Sequence, residues 1–359
     1  MKKISDQTKT YIDKFELSIQ KGGQPLVPPL TASLQANKWC NSRCEYCGIW
    51  HNSKSNPPLE DMRLAINELS DLGVKMISLT GGEPFLQDCL PEMINQMKIR
   101  GVISSTMTNG LLLNHDLIEP ILEAGLTSLC ISLDTIDPDI YKKIRGVSIK
   151  QVLKGLESIA RRRKDFPNLL VFSINCVISK LNIDQLLPLI EYCSGLGMSV
   201  GFQPLHYSFD SDYNSFELMF TEDDLPHIHE QMEKIIRMGE DGFTVNNDAP
   251  YLMGFPDFLV YKRLPEGTKC TAGYSSISVD YNLNVRSCWP KNPLGNLHKN
   301  KLTDIWESNL YSETRASMYE LDCPKCWLRC HTDHLSVQWL ADLYERMNKI
   351  NSPKETMQE

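Results

Sequence analysis

The chain has 359 residues, 42% of them hydrophobic and 23% charged, with a net charge of −8. That length allows one large domain or two, and so even a composition excludes a disordered or low-complexity chain. The acidic balance, with no basic stripe beyond the short cluster at 161–164, argues against a phosphate-binding footprint and therefore against a nucleic-acid partner.

The first residues, MKKISDQTKTYIDKFELSIQ, place Asp, Gln, Lys and Glu where an export signal needs an apolar stretch. No apolar run is long enough to span a bilayer, so the expectation is a cytoplasmic protein without a membrane partner, with residues 1–29 forming a helical extension. In that compartment twelve cysteines point to metal ligation rather than to a disulfide framework.

From residue 30 short β-branched runs alternate with amphipathic stretches, the pattern of βα units on a parallel sheet. Strands are expected at 30–35, 76–79, 103–107, 128–133, 170–177 and 199–205, and helices near 58–72, 88–99, 114–123, 149–162 and 182–195. Asp137 and Asn182 stand as helix caps, and Gly101, Gly125 and Gly197 as helix stops. Six units without a seventh or eighth predict an α/β fold, a partial (βα)6 TIM-like barrel open on one side, with its chemistry at the carboxyl ends of the strands.

Immediately after the first strand come Cys40, Cys44 and Cys47. Three thiolates within eight residues can wrap an iron-sulfur cluster, and the missing fourth ligand leaves one iron open to a substrate or water. A zinc knuckle completed by His51 is the competing reading. After the second strand stand Thr80, Gly81, Gly82, Glu83 and Pro84, where glycines admit a ligand to the backbone and a carboxylate can attract an ammonium. The third strand ends in Thr108, Asn109 and Gly110, the fourth in Ser132, Leu133 and Asp134, and Arg145 follows in the stretch 141–146.

Beyond residue 205 the rhythm breaks. Residues 206–220 mix aromatics with acids, as a lid or a connecting loop would, and a helix is expected near 222–238. From Cys270 a β-hairpin is expected, 276–279 and 285–288 about a turn at 280–284, followed by helices near 301–318 and 335–350. Cys270, Cys288, Cys323 and Cys326 offer four thiolates, suited to a second 4Fe-4S cluster or to tetrahedral zinc, with the cluster favoured. Cys330 can replace Cys323 or Cys326, or stay free. Cys89, Cys130, Cys176 and Cys193 are isolated and read as small buried side chains.

The motif CNSRCEYC, with Tyr46 before the third cysteine, resembles the CxxxCx(aromatic)C signature of the radical S-adenosylmethionine superfamily. The resemblance runs along 30–205 and implies a 4Fe-4S cluster whose open iron is chelated by the methionine moiety of S-adenosylmethionine. It further implies an external electron donor such as flavodoxin or ferredoxin, and reductive cleavage to a 5′-deoxyadenosyl radical that abstracts hydrogen from a substrate. By the same resemblance Tyr46, Gly81, Gly82, Glu83, Asn109, Ser132, Arg145 and backbone near Val177 surround that cofactor, Arg145 pairing with its carboxylate. The late cysteines resemble the SPASM extension in its twitch form, as in 2-deoxy-scyllo-inosamine dehydrogenase, which implies one auxiliary cluster able to accept an electron from the substrate radical.

The expected layout is then a helical extension over 1–29, a radical SAM partial barrel over 30–221, a helical connection over 222–269 and a cysteine-rich twitch/SPASM-like module over 270–359. The expected reaction is a two-electron oxidation. About thirty residues before the first strand are too few for a peptide-recognition domain, which favours a small metabolite such as a sugar or aminocyclitol over a peptide. Asp134, Asn175, Gln203 and His206 are the acid, base or cavity-lining candidates at the strand ends.

Overall fold

The computed structural model describes residues 6–22, 24–206, 216–328 and 345. Six strands run parallel and side by side in chain order: β1 (Thr31–Asn37), β2 (Met76–Gly81), β3 (Ile103–Thr108), β4 (Ser128–Ser132), β5 (Val171–Ile178) and β6 (Ser199–Pro204). Each lies within two residues of its expected bounds. An initial helix α1 (Asp6–Lys21) precedes them, and the crossovers carry α2 (Leu59–Leu72), α3 (Leu90–Ile99), α4 (His115–Glu123), α5 (Pro138–Arg145), α6 (Lys150–Arg162) and α7 (Leu186–Gly195). This is the partial barrel expected.

Period-two alternation decides which face of each strand is covered. Ala32, Leu34, Ile77, Leu79, Leu129, Ile131 and Ile174 are buried and share one core with the apolar faces of the helices. The opposite face is polar. Ser278, Ser33, Ser78, Ser105 and Ser128 stand opposite one another across five neighbouring strands, where a closed barrel would pack Val, Ile and Leu.

The helices bear out the expected pattern with local differences. The stretch 301–318 is two helices, α12 (Leu302–Trp306) and α13 (Asn309–Tyr319), because Ser308 starts the second by accepting from the Tyr311 amide at 3.2 Å. Asp137 caps α5, receiving the amides of Asp139 and Ile140. Asn182 makes no such cap; its side chain accepts from the Ser179 amide and donates to the carbonyls of Asp134 and Val177. Of the stretch 206–220, residues 207–215 lie outside the described residues, as do Cys330 and most of the helix expected at 335–350. Three helices, α8 (Leu225–Glu240), α9 (Ala249–Met253) and α10 (Phe255–Tyr261), link the barrel to the cysteine-rich module.

That module opens with α11 (Ala272–Ser275) and the expected hairpin, β7 (Ser276–Val279) against β8 (Asn284–Arg286), extended by β9 (Gly295–Asn296). A feature that local patterning did not reveal is its seat: β7 pairs parallel with β1, so one nine-stranded sheet runs β6-β5-β4-β3-β2-β1-β7-β8-β9. Among the described residues no helix is long and apolar enough to cross a membrane.

Candidate functional site

The cysteine loop leaves the carboxyl end of β1 and is held on three sides. On the first, the glycine turn continues the β1–β2 pairing: the Gly82 amide donates to the Asn37 carbonyl at 3.2 Å and the Glu83 amide to the Trp39 carbonyl at 2.9 Å. Gly81 adopts φ +123°, and a Cβ on Gly82 would fall 1.7 Å from the Trp39 carbonyl oxygen. The two glycines therefore bring the turn against the cysteine loop itself.

The second side is the end of β3. Glu83 is 1% exposed, and its carboxylate accepts from the Thr108 hydroxyl at 2.6 Å and from the amides of Asn109 and Phe85 at 2.7 and 3.1 Å. Burial outweighs these three donors and raises its pKa from 4.5 to about 7. Asn109 then turns its amide nitrogen to the Cys40 sulfur at 3.5 Å and to Asn41 at 2.7 Å.

The third side is α5. The amides of Arg43 and Glu45 donate to the carbonyls of Arg145 and Ile144, at 3.0 and 2.9 Å, so the loop docks on the carbonyls left open by the helix end. Arg145 is buried, not a surface residue of the helix. Its Nε and one terminal nitrogen reach the two Asp134 oxygens at 2.6 and 2.8 Å, while the other terminal nitrogen lies 3.8 Å from the Cys44 sulfur. The Tyr46 ring packs 5.5 Å from the guanidinium and its hydroxyl donates to Asp134 at 3.1 Å. Ser42, which the sequence pattern did not single out, places its hydroxyl 3.4 Å from the Cys44 sulfur and donates to the Arg145 carbonyl at 3.1 Å.

This geometry redistributes the candidates. Asp134 is fully buried in its ion pair and also receives the Val177 amide at 2.9 Å, so it is an anchor between β4, β5 and α5 rather than a group exposed to the cavity. The carbonyl of Val177 is likewise engaged, by Asn182. Ser132 and Asn175 stand in register on β4 and β5, and Gln203 pairs with Val177 on β6; all three are half-buried. His206, just past β6, accepts the Trp327 amide at 3.1 Å and so belongs to the contact between the barrel and the second module.

The second group of cysteines closes on itself. Cys270, Cys288, Cys323 and Cys326 line one cavity of about 360 Å³, open to solvent, with Met318, Pro290, Pro324, Lys291 and Lys325. Cys270 precedes α11, Cys288 follows β8, and the CxxC pair follows α13, so three separate elements converge. Burial pushes the Cys270 thiol up to about 12, Cys288 to about 11 and Cys40 to about 12. Such thiols keep their protons unless a cation replaces them.

The residues present fit an iron-sulfur group at both places. At the first, a backbone amide, an asparagine, a serine and an arginine approach the sulfurs of Cys40 and Cys44, as N–H and O–H donors do around cluster thiolates. At the second, the buried hydroxyls of Thr271 and Ser287, next in sequence to Cys270 and Cys288, have no hydrogen-bond partner among the described residues.

The comparisons with known proteins agree with this geometry. Residues 35–193 match the radical SAM superfamily and residues 270–331 the SPASM iron-sulfur cluster-binding domain. A radical SAM domain implies a 4Fe-4S cluster and S-adenosylmethionine at the barrel, and a SPASM domain implies auxiliary iron-sulfur clusters in the second. GTP 3′,8-cyclase of Xanthomonas campestris pv. campestris is 33% identical over 193 residues, 50% of this chain and 54% of that protein. The chain thus spans about half the length of the curated relatives it matches. Streptococcus suis SuiB shares the fold at a TM-score of 0.67 and 18% identity, over 88% of this chain and 75% of SuiB. The structure of anSMEcpe with bound AdoMet shares it at 0.64 and 14%, over 90% and 95%.

Proposed function

We propose that this chain is a radical SAM oxidoreductase in which Cys40, Cys44 and Cys47 hold a 4Fe-4S cluster with one open iron, and Cys270, Cys288, Cys323 and Cys326 hold a single auxiliary cluster. The observation that carries the reading is the loop after β1, with its three cysteines held between Glu83, Asn109 and Arg145. When bound, the first cluster supplies the electron that cleaves S-adenosylmethionine to a 5′-deoxyadenosyl radical.

The chain's own residues orient and enclose. Arg145, held by Asp134 and Tyr46, presents one free edge toward Cys44, where it can meet the cofactor carboxylate as well as thiolate sulfur. Glu83 sits beneath the glycine turn and attracts an ammonium there by charge, while its three hydrogen bonds join the ends of β2 and β3. Asn109, Ser132, Asn175 and Gln203 supply polar groups for ribose and substrate at the rim. The engaged amide and carbonyl of Val177 leave its side chain for any contact with adenine.

The serine-rich inner face of the sheet favours a polar, hydroxyl-bearing small molecule as substrate for a two-electron oxidation, and a cluster held by Cys270, Cys288, Cys323 and Cys326 would supply an electron acceptor for it. A peptide is the second reading, supported by the solved structures of SuiB with the precursor peptide SuiA and of anSMEcpe with the Cp18Cys peptide.

Anaerobically purified protein should contain about eight irons and release 5′-deoxyadenosine when reduced with S-adenosylmethionine. Colourless protein with stoichiometric zinc would overturn the proposal. Formation of 5′-deoxyadenosine that rises with sugars or aminocyclitols but not with peptides supports the first substrate reading, and the reverse supports the second.

A further inference from the structure

Three backbone segments present the four late cysteines, and two of them meet at the end of α13. The Asp322 amide donates to the Ser317 carbonyl at 3.0 Å and the Leu321 amide to the Met318 carbonyl at 2.9 Å, the pair of bonds that closes a helix end on a left-handed residue. Glycine is the usual occupant of that position. Here Leu321 takes it, at φ +60°, and Lys325, inside the CxxC turn, is left-handed as well, at φ +59°. The Cys270 amide reaches the next carbonyl, that of Tyr319, at 3.5 Å. The loop that carries Cys323 and Cys326 is therefore strained, and such a loop keeps its shape only where its surroundings over-determine it.

Lys291 supplies a constraint of that kind. Its backbone amide donates to the Cys288 carbonyl at 3.0 Å, closing a tight turn behind that thiol, and its own carbonyl accepts from Arg286 at 2.7 Å. Lys291 lines the cysteine cavity, and its side chain crosses to the end of α13, where Nζ donates to the Asp322 carbonyl at 2.5 Å and to the Ser317 hydroxyl at 3.1 Å. The accepting carbonyl belongs to the peptide group that joins Asp322 to Cys323. Ser317 Oγ donates in turn to the Asp322 carboxylate at 3.0 Å. An ammonium at this place is favoured by the negative end of the helix as well as by its two oxygen acceptors. One side chain thus ties the turn of Cys288 to the loop of Cys323 and sets a positive charge against the peptide that leads into a thiol. Lys325, the other cation at the cavity, is exposed, so water screens its charge.

We propose that Lys291 is the positioning residue of the auxiliary cluster: it fixes the spacing of Cys288 and Cys323 and holds beside the cluster a positive charge that favours its reduced form. A 4Fe-4S cluster on four thiolates is anionic and becomes more so on one-electron reduction, so a cation fixed at its edge raises the potential at which it accepts an electron. Lys291 acts through the two cysteine-bearing segments it joins. The inference rests on the reading of Cys270, Cys288, Cys323 and Cys326 as cluster ligands.

The test uses the full chain with Cys40, Cys44 and Cys47 changed to alanine, reconstituted anaerobically with iron and sulfide, so that the auxiliary site alone is read by iron analysis and EPR-monitored redox titration. Lys291→Met keeps an unbranched stem and removes the ammonium. Lys291→Arg keeps the charge and the donors, and Lys325→Met removes the exposed cation from the same cavity. The expected result for Lys291→Met is about a tenfold fall in the ratio of reduced to oxidised cluster at fixed potential, equivalent to about 59 mV, with iron lost to a chelator several-fold faster than from the parent. Lys291→Arg should restore most of both, and Lys325→Met should move the midpoint by less than Lys291→Met does. Should Lys291→Met assemble no cluster, recovery of about four irons per chain in Lys291→Arg supports the inference and failure to recover them overturns it. A full iron complement in Lys291→Met, with the parent's midpoint and the parent's rate of iron loss, would also overturn it and leave Lys291 without a role at the cluster. Zinc in place of iron would instead overturn the reading of the site.

Discussion

Glu83 couples the stability of the metal-free protein to pH in an unusual direction. Its folded pKa, about 7, lies above its ordinary value of 4.5, so between those limits the folded chain holds a proton that the unfolded chain has released. The stabilisation is complete below about pH 4.5 and declines as pH rises through 7, by roughly 3 kcal/mol in all. Urea unfolding of the metal-free chain at pH 5 and pH 8 should show this decline, and Glu83→Gln should flatten it; a Gln variant with the same slope would place the proton elsewhere. The Asp134–Arg145 pair makes a different prediction. With both partners buried, Asp134→Ala strands a guanidinium and should destabilise by about 3–5 kcal/mol, and the cysteine loop docked on α5 should lose iron with it.

At the scale of elements, the glycine turn is the hinge between sequence and site. Gly82→Ala drives a methyl group into the Trp39 carbonyl, so the loop must withdraw from β2. The expected outcome is about 2–4 kcal/mol of lost stability and iron reduced at the first site while the second keeps its own, measurable by iron analysis and EPR. Much of this was legible beforehand. The six strands were visible because each carries its own apolar period and turn signals, and the cysteine loop because its spacing is local. Partners set by three-dimensional approach were not. No spacing rule links Asp134 to Arg145, Ser42 to Cys44 or Trp327 to His206, and the glycines read as room for a ligand serve first as room for Trp39. Asn182 looked like a cap because its position suited one, yet three nearby backbone groups compete for its amide.

At the scale of the molecule, the two cysteine sites should be separable in composition but joined in stability. Cys270→Ala should lower iron from about eight to about four per chain and leave reductive formation of 5′-deoxyadenosine in place; its complete loss would show that the second site is needed for the first to assemble. Trp327 joins the halves: it is 1% exposed, stacks on Tyr251, exchanges hydrogen bonds with it and donates its backbone amide to His206. Its replacement by alanine should cost about 3–5 kcal/mol in a single unfolding transition read by fluorescence and circular dichroism.

The pairing of β7 with β1 also bears on how such a protein can be taken apart. β1 has a neighbour on each side, and removal of everything after residue 269 would strip one of them and bare a row of amides and carbonyls beside the cysteine loop. An uncovered strand of that kind recruits other chains. The barrel cut free of its cysteine-rich half should therefore self-associate along β1, and the far half is better understood as the seal on that border than as an attachment to a finished enzyme.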